Sequence, residues 1–247
     1  MGVGVAVVVH RPDYGKLLAT YNRVMANRFG YAVVGRALPA TLFGLILSVK
    51  ALSFRDFLAT GAGGRDGLSL WAHYADMAYQ ALVLAFLAMV CLLFVVRQPV
   101  VRGLASLRVG LIAIAGTFGG TLLAFAPPTM PHIAIFFVAV CLMGVGTAIA
   151  LLALLRLGRC FGMSPQARGL VTSGPYRLMR HPIYVGEEIA TLGVLLPVLG
   201  PATLAIFAAH CLLQFVRAVS EEAVLEAAFP HYATYKHQVA RFLPGIY

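Results

Sequence analysis

The chain has 247 residues, of which 60% are hydrophobic and only 11% charged, with a mean hydropathy of +0.86. That balance excludes an ordinary soluble domain and predicts a polytopic membrane protein. The net charge of +10 is spread over connections between apolar runs, a pattern of membrane topology and headgroup contact that argues against nucleic-acid binding.

The opening segment MGVGVAVVVH has no basic region ahead of its apolar run, so it resembles neither a signal peptide nor a span. Ala6 stands where a myristoylation pattern needs Ser or Thr. Tyr14 to Phe29 is predicted as an amphipathic approach to the membrane. Six spans follow, at Val33 to Val49, Met77 to Val96, Val109 to Pro127, Ile133 to Leu155, Ile183 to Leu199 and Ala202 to Val219. Lipid cannot satisfy backbone amides, and unbroken apolar runs lack the alternation of a barrel, so the fold class is all-α, a membrane helical bundle.

Short loops rich in arginine set the orientation. Arg97, Arg102 and Arg108 share one connection, and Arg156, Arg159, Arg168, Arg177 and Arg180 another, which predicts both loops on the cytoplasmic side. Arg11, Lys16, Arg23 and Arg28 then lie on that side, as do Lys236 and Arg241, so both termini are cytoplasmic, and the composition suits a bacterial inner membrane. Lys50 to Asp76 falls outside by the even span count. Cys91, Cys141, Cys160 and Cys211 form no CxxC pair and read as small buried hydrophobes. Gly116 with Gly120, and Gly144 with Ala148, have spacing suited to close helix approach.

The organisation divides at the fourth span: residues 1–155 hold four spans, and residues 156–247 hold the chemistry. Arg156 to Pro182 is a polar connection too long for a minimal turn, with a short hairpin predicted around Pro165 to Gly169. A helical hairpin turning at Leu196 to Pro201 follows. The tail is predicted to start a helix near Glu221 and Glu222, break at Phe229 and Pro230, and continue through Tyr232 and Tyr235. The hairpin returns the tail to the side of Arg180 and His181, so two distant loops close one pocket. Ionisable groups at a membrane edge are costly and are functional candidates for that reason.

These two segments, TSGPYRLMRHPIYVG and then EEAVLEAAFPHYATYKHQVARFLP, resemble the signature of the isoprenylcysteine carboxyl methyltransferase family and its bacterial relatives, over roughly the last 90 residues. The resemblance implies an S-adenosylmethionine pocket at the cytosolic membrane surface and methyl transfer to a lipophilic acceptor: a carboxylate, thiol or amine. Tyr176, His181, Pro182, Tyr184, Gly186, Glu221, Tyr232 and Tyr235 are the candidates for the cofactor. Arg180 could clamp an acceptor carboxylate by paired hydrogen bonds with a neighbouring glutamate such as Glu222 orienting it, and for a neutral thiol or amine Glu222 or His181 could act as the base. Eukaryotic members carry further basic residues after the tail tyrosines. This chain has His237 and Gln238 there, with Arg241 left to meet the substrate, so a small lipophilic molecule or a lipid headgroup is expected as acceptor in place of a prenylated protein.

No GxGxxG follows a predicted strand, which disfavours a Rossmann site, and the histidines show no metal-ligand clustering. Glu187 and Glu188 read equally as headgroup-level carboxylates. Two other readings stand beside the methyltransferase: an NADPH-dependent sterol-type reductase, whose ending is similar to YKHQVARFLPGIY, and a transporter or membrane scaffold.

Overall fold

The computed structural model describes residues 14–61, 63–64, 66–103, 106–129 and 132–245. The opening MGVGVAVVVH and Arg11, like the final two residues, lie outside the described residues. Helix α1 (Tyr14–Ala26) precedes α2, which runs as one rod from Arg28 to Ala59 and includes a π-helical stretch, Tyr31–Ala37. Then come α3 (Gly67–Val96), α4 (Leu107–Phe118, continued by the 3-10 segment Gly119–Phe125), α5 (Ile133–Leu157), α6 (Pro182–Leu195), α7 (Pro201–Ala228) and α8 (Tyr232–Gln238).

Among the described residues, five helices are long and apolar enough to cross a membrane. The fifth expected span, Ile183 to Leu199, is shorter. Helix α6 has 14 residues before the 3-10 turn Leu196–Val198, about 27 Å of rise in all. It still reaches the far end of the bundle, where Thr129 donates its backbone N–H to the Pro197 carbonyl at 2.9 Å and its hydroxyl to the Leu199 carbonyl at 3.0 Å.

The first span extends beyond its expected ends, from Arg28 to Ala59, and carries an exposed Arg55–Asp56 pair near its end. The last span also overruns. Its expected end was Val219, but α7 continues unbroken to Ala228, so Glu221 and Glu222 sit deep in a 28-residue helix and start no new one. The Pro165–Gly169 hairpin does not form. Instead Ala167 makes an isolated antiparallel bridge to Arg102, tying the long loop to the α3–α4 connection.

Only 11% and 17% of the most apolar windows of α2 and α3 are buried, against 28% in α5 and α7. The packed centre is therefore the carboxy-terminal half, and outward residues such as Leu45 and Leu152 face lipid. Helices α5 and α6 meet through glycines. A Cβ on Gly186 would lie 2.6 Å from the Gly146 carbonyl oxygen, and one on Gly193 would lie 2.6 Å from that of Ala139. Gly144, expected to serve this role, has open space around it; Gly116 and Gly120 do face α7 and α6, near Gln214 and Thr191.

Candidate active site at the loop-bearing end of the bundle

The site begins with backbone. Pro182 opens α6 at its first turn, where a missing N–H costs nothing. The two residues before it are held extended against the tail: Arg180 N–H donates to the Ala240 carbonyl at 2.9 Å and His181 N–H to that of Arg241 at 3.1 Å. A second tie comes from Tyr235, whose hydroxyl donates to the Tyr176 carbonyl at 2.7 Å. Tyr176 lies in a 3-10 turn entered through Gly174, whose φ of +63° is left-handed and whose Cβ would strike the Arg156 side chain. Two segments distant in sequence thus form one rigid edge.

Glu222 is the centre of that edge. Its carboxylate accepts from Arg180 Nη1 at 3.0 Å, from Arg241 Nε at 2.9 Å and Nη2 at 3.0 Å, and pairs with His181 Nε2 at 3.1 Å. The Arg180 and Glu222 side chains are 1% and 3% exposed. Such a network is stable only when fully partnered, because each charge has lost its water.

Glu221 points elsewhere, since adjacent helical residues diverge by about 100°. It accepts the Tyr184 hydroxyl, lies 3.8 Å from Arg217 Nε one turn earlier, and lies 3.9 Å from His181 Nδ1. The His181 and Tyr184 rings stack with centres 5.2 Å apart, and the Arg217 guanidinium covers the Tyr184 ring at 4.7 Å.

A cavity opens beside this edge. Its polar wall includes Arg180, His181, Tyr184, Glu221 and Arg217; Tyr176, Tyr232 and Tyr235 line it as well; its apolar wall includes Phe43, Phe86, Val90, Thr117 and Leu154 from α2 to α5. Burial raises the phenol pKa values of Tyr176 and Tyr232, and pushes that of Tyr235 up to about 12, so all three stay neutral near pH 7.

Four of the candidates do not line the cavity. Glu222 and Arg241 stand behind the wall and hold its residues in place, Pro182 is fully buried at the helix start, and Gly186 packs against the backbone of α5. Conversely, Arg217 and Glu187 line the cavity without having been singled out for it. Gln214 donates to Glu187 at 2.6 Å, and Arg217 Nη2 donates to the Met163 carbonyl at 3.0 Å, holding the long loop on α7. The available signal was an arginine inside an apolar span, four residues before Glu221.

The comparisons with known proteins bear on this region. The sequence profile of the family described as phospholipid methyltransferase matches residues 133–231. The cobalt-zinc-cadmium resistance protein CzcN of Cupriavidus metallidurans is 37% identical over 78 residues, which make up 31% of this chain and 36% of that protein; the chain thus matches about a third of the length of this relative. The solved structure of a eukaryotic intramembrane Ras methyltransferase, isoprenylcysteine carboxyl methyltransferase, aligns over 94% of each chain at 16% identity with a TM-score of 0.42. Neither the reductase nor the transporter reading gains support. The family match thus falls on α5, the long loop, α6 and the Glu221–Glu222 helix of this integral membrane protein, the segments that carry the charged wall of the cavity.

Proposed function

We propose that the protein transfers a methyl group from S-adenosylmethionine to a lipophilic carboxylate at the cytosolic face of the membrane. The observation that carries this reading is the joining, in one cavity, of a charged wall on α6 and α7 with an apolar wall on α2, α3 and α5. A soluble cofactor and a lipid-soluble acceptor need those two environments side by side.

The residues fit both ligands. Arg180 Nε and Nη2 are buried without hydrogen-bond partners beside the cavity, a combination that suits the carboxylate of the acceptor. Glu221 offers acceptor oxygens to a ribose diol, and Tyr176, Tyr232 and Tyr235 offer aromatic surface to a purine. S-adenosylmethionine supplies an electrophilic methyl carbon on a sulfonium, so no metal or acid is asked of the protein.

What the chain's own residues do is hold and exclude. A carboxylate acceptor loses no proton in the transfer. Arg180 and Arg217 orient it and Glu222 fixes Arg180, while Phe43, Phe86, Val90 and Leu154 keep water from the reacting line. In this division of labour residues 156–247 carry the polar chemistry and residues 1–155 build most of the acceptor's apolar wall. The arginine-rich ends of the helices and the loop edge that holds the site face the cytoplasm of a bacterial inner membrane, with both termini on that side.

The test is thermal unfolding of the purified protein with S-adenosylhomocysteine or NADPH, followed by transfer of labelled methyl to membrane extracts. A ligand at about 100 times its Kd adds about 2.7 kcal/mol. Stabilisation by S-adenosylhomocysteine alone, with a label that mild alkali releases as a methyl ester would, is the expected result. Stabilisation by NADPH, or an alkali-stable label, would sink the reading or its carboxylate acceptor respectively.

A further inference from the structure

A second group of arginines, separate from the cavity, gathers around one tyrosine. The guanidinium carbons of Arg36, Arg97 and Arg168 lie 5.2, 5.9 and 5.6 Å from the centre of the Tyr31 ring. Arg97 is 5% exposed and Arg168 2%, while Arg36 is half-buried. Among the described residues their hydrogen bonds go only to neutral oxygens. Arg36 Nη2 donates to the Arg97 carbonyl at 2.7 Å, and Arg97 Nη2 to the Gly35 carbonyl. Arg168 donates to the Tyr31 hydroxyl at 2.8 Å, the Gln98 carbonyl at 2.5 Å and Gln166 Oε1 at 2.7 Å.

Among the described residues no carboxylate pairs with any of the three, and the Nε atom of each is buried without a hydrogen-bond partner. The contrast with the catalytic edge is direct: Arg180, Arg217 and Arg241 all lie against Glu221 or Glu222. Burial and the nearby Arg168 bring Arg97 down to about 10, the response expected of a cation lacking a counter-charge.

The location indicates which anion would fit. Arg36 lies near the start of α2, Arg97 directly follows the end of α3, and Arg168 belongs to the long loop, so the cluster sits at the loop-bearing end of the bundle. Helix α1 lies beside it: Tyr21 accepts from Gln166 at 3.1 Å, and the Met25 side chain approaches Gly35. With Leu17 exposed on one side and Lys16 and Arg23 on its polar positions, α1 has the make-up of a helix lying at headgroup depth.

We infer that Arg36, Arg97 and Arg168 form a binding site for a phosphate group, presented by an anionic membrane lipid or as free phosphate. Guanidinium forks match phosphate oxygens in pairs, and basic clusters between helices at a membrane surface are where anionic headgroups lodge. A phosphate there neutralises the cluster and ties α2, α3 and the long loop together.

The experiment uses the full chain purified in a neutral sugar detergent. Thermal unfolding and retained-lipid mass spectrometry are compared with phosphatidylglycerol, phosphatidylcholine and inorganic phosphate, for the wild type, Arg36→Gln, Arg36→Lys, the double variant Arg97→Gln/Arg168→Gln, and Arg108→Gln as an exposed basic control. The expected result is one tightly retained phosphatidylglycerol, bound at least tenfold more weakly by Arg36→Gln, largely restored by Arg36→Lys and unaltered by Arg108→Gln. A response to inorganic phosphate with the same dependence on Arg36 would assign the site to the free anion. Binding of neither, or equal binding by wild type and Arg36→Gln, would overturn the proposal. Arg36→Gln keeps the test open should the buried double variant fail to fold, and no step of it depends on methyl transfer.

Discussion

Arg180 and Glu222 are 42 positions apart, yet their side chains meet at 3.0 Å with almost no exposure. The pair joins the segment before α6 to the carboxy-terminal turns of α7, and Arg241 adds a two-pronged grip from the tail. Removing one partner leaves uncompensated charge in a site that water does not reach. Glu222→Ala is expected to lower stability by about 3 to 5 kcal/mol and to abolish transfer. Thermal unfolding and activity measured on one preparation check both, and an intact melting temperature would show that Glu222 is not the keystone.

Glu221 behaves differently because it faces the cavity while Arg217 and Tyr184 hold it. Glu221→Gln keeps the shape and a hydrogen-bonding oxygen while losing the charge. The expected result is weakening of S-adenosylhomocysteine binding by about tenfold or more, equivalent to about 1.4 kcal/mol, with a much smaller fall in stability than Glu222→Ala. Calorimetric titration of both variants separates the two adjacent carboxylates. Equal losses of binding and stability in the two would contradict the division drawn between them.

Much of this arrangement was legible before any coordinates. Runs of about 20 apolar residues leave a helix as the only stable state in lipid, which is why α3, α4 and α5 begin or end close to the expected positions. Arg180, His181, Tyr184 and Glu221 also meet as their two motifs implied. What stayed hidden depends on helix rotation. No spacing rule distinguishes Glu221 from Glu222, one facing the cavity and the other behind it, until the direction of α7 is known. Gly146 and not Gly144 contacts α6 because α5 turns that face inward. The contributions of Phe43, Phe86 and Thr117 to the cavity depend on packing between spans, for which a single sequence carries no signal.

The glycine contacts give a stability test with opposite signs. Alanine is favoured over glycine in a helix by about 1 kcal/mol, so Gly144→Ala, with nothing within 4 Å of the new Cβ, is expected to be neutral or slightly stabilising. At Gly186 the new Cβ would meet backbone atoms at 2.6 and 2.7 Å. Backbone cannot swing aside, so the helices must separate, and the cost of overpacking, about 1 to 3 kcal/mol, exceeds the propensity gain. Gly186→Ala should therefore melt below the wild type. The reverse order would mean that α5 and α6 do not pack as described.

Alkaline pH probes the tie between the tail and the Gly174 turn. Burial pushes the Tyr235 phenol up to about 12, with Arg180 opposing the rise and Glu222 adding to it. A folded-state pKa raised above the ordinary value near 10 means that the folded protein holds this proton more tightly than the unfolded chain. The stabilisation is fully present below pH 10 and is lost as pH rises from 10 to about 12. Tyr235→Phe removes this titration together with the hydrogen bond to the Tyr176 carbonyl. The variant is expected to start about 1 kcal/mol less stable and to lose less stability than the wild type across that window, as denaturant melts at several alkaline pH values would record. Parallel curves for the two proteins would remove Tyr235 as the source.

The apolar wall allows acceptor and cofactor to be separated. Thr117 lines the cavity from α4, and its hydroxyl is already committed to the Ala113 carbonyl at 2.9 Å. A phenylalanine there adds bulk to the cavity that Phe43, Phe86 and Val90 also line. Thr117→Phe is expected to keep S-adenosylhomocysteine binding within about twofold, which is under 0.5 kcal/mol, while transfer to long-chain acceptors falls by at least tenfold and short-chain acceptors are spared. Comparing the rates for a chain-length series between the two proteins measures this directly. If all chain lengths suffered alike, the acceptor would enter along another path, and the first two spans would serve only as scaffold.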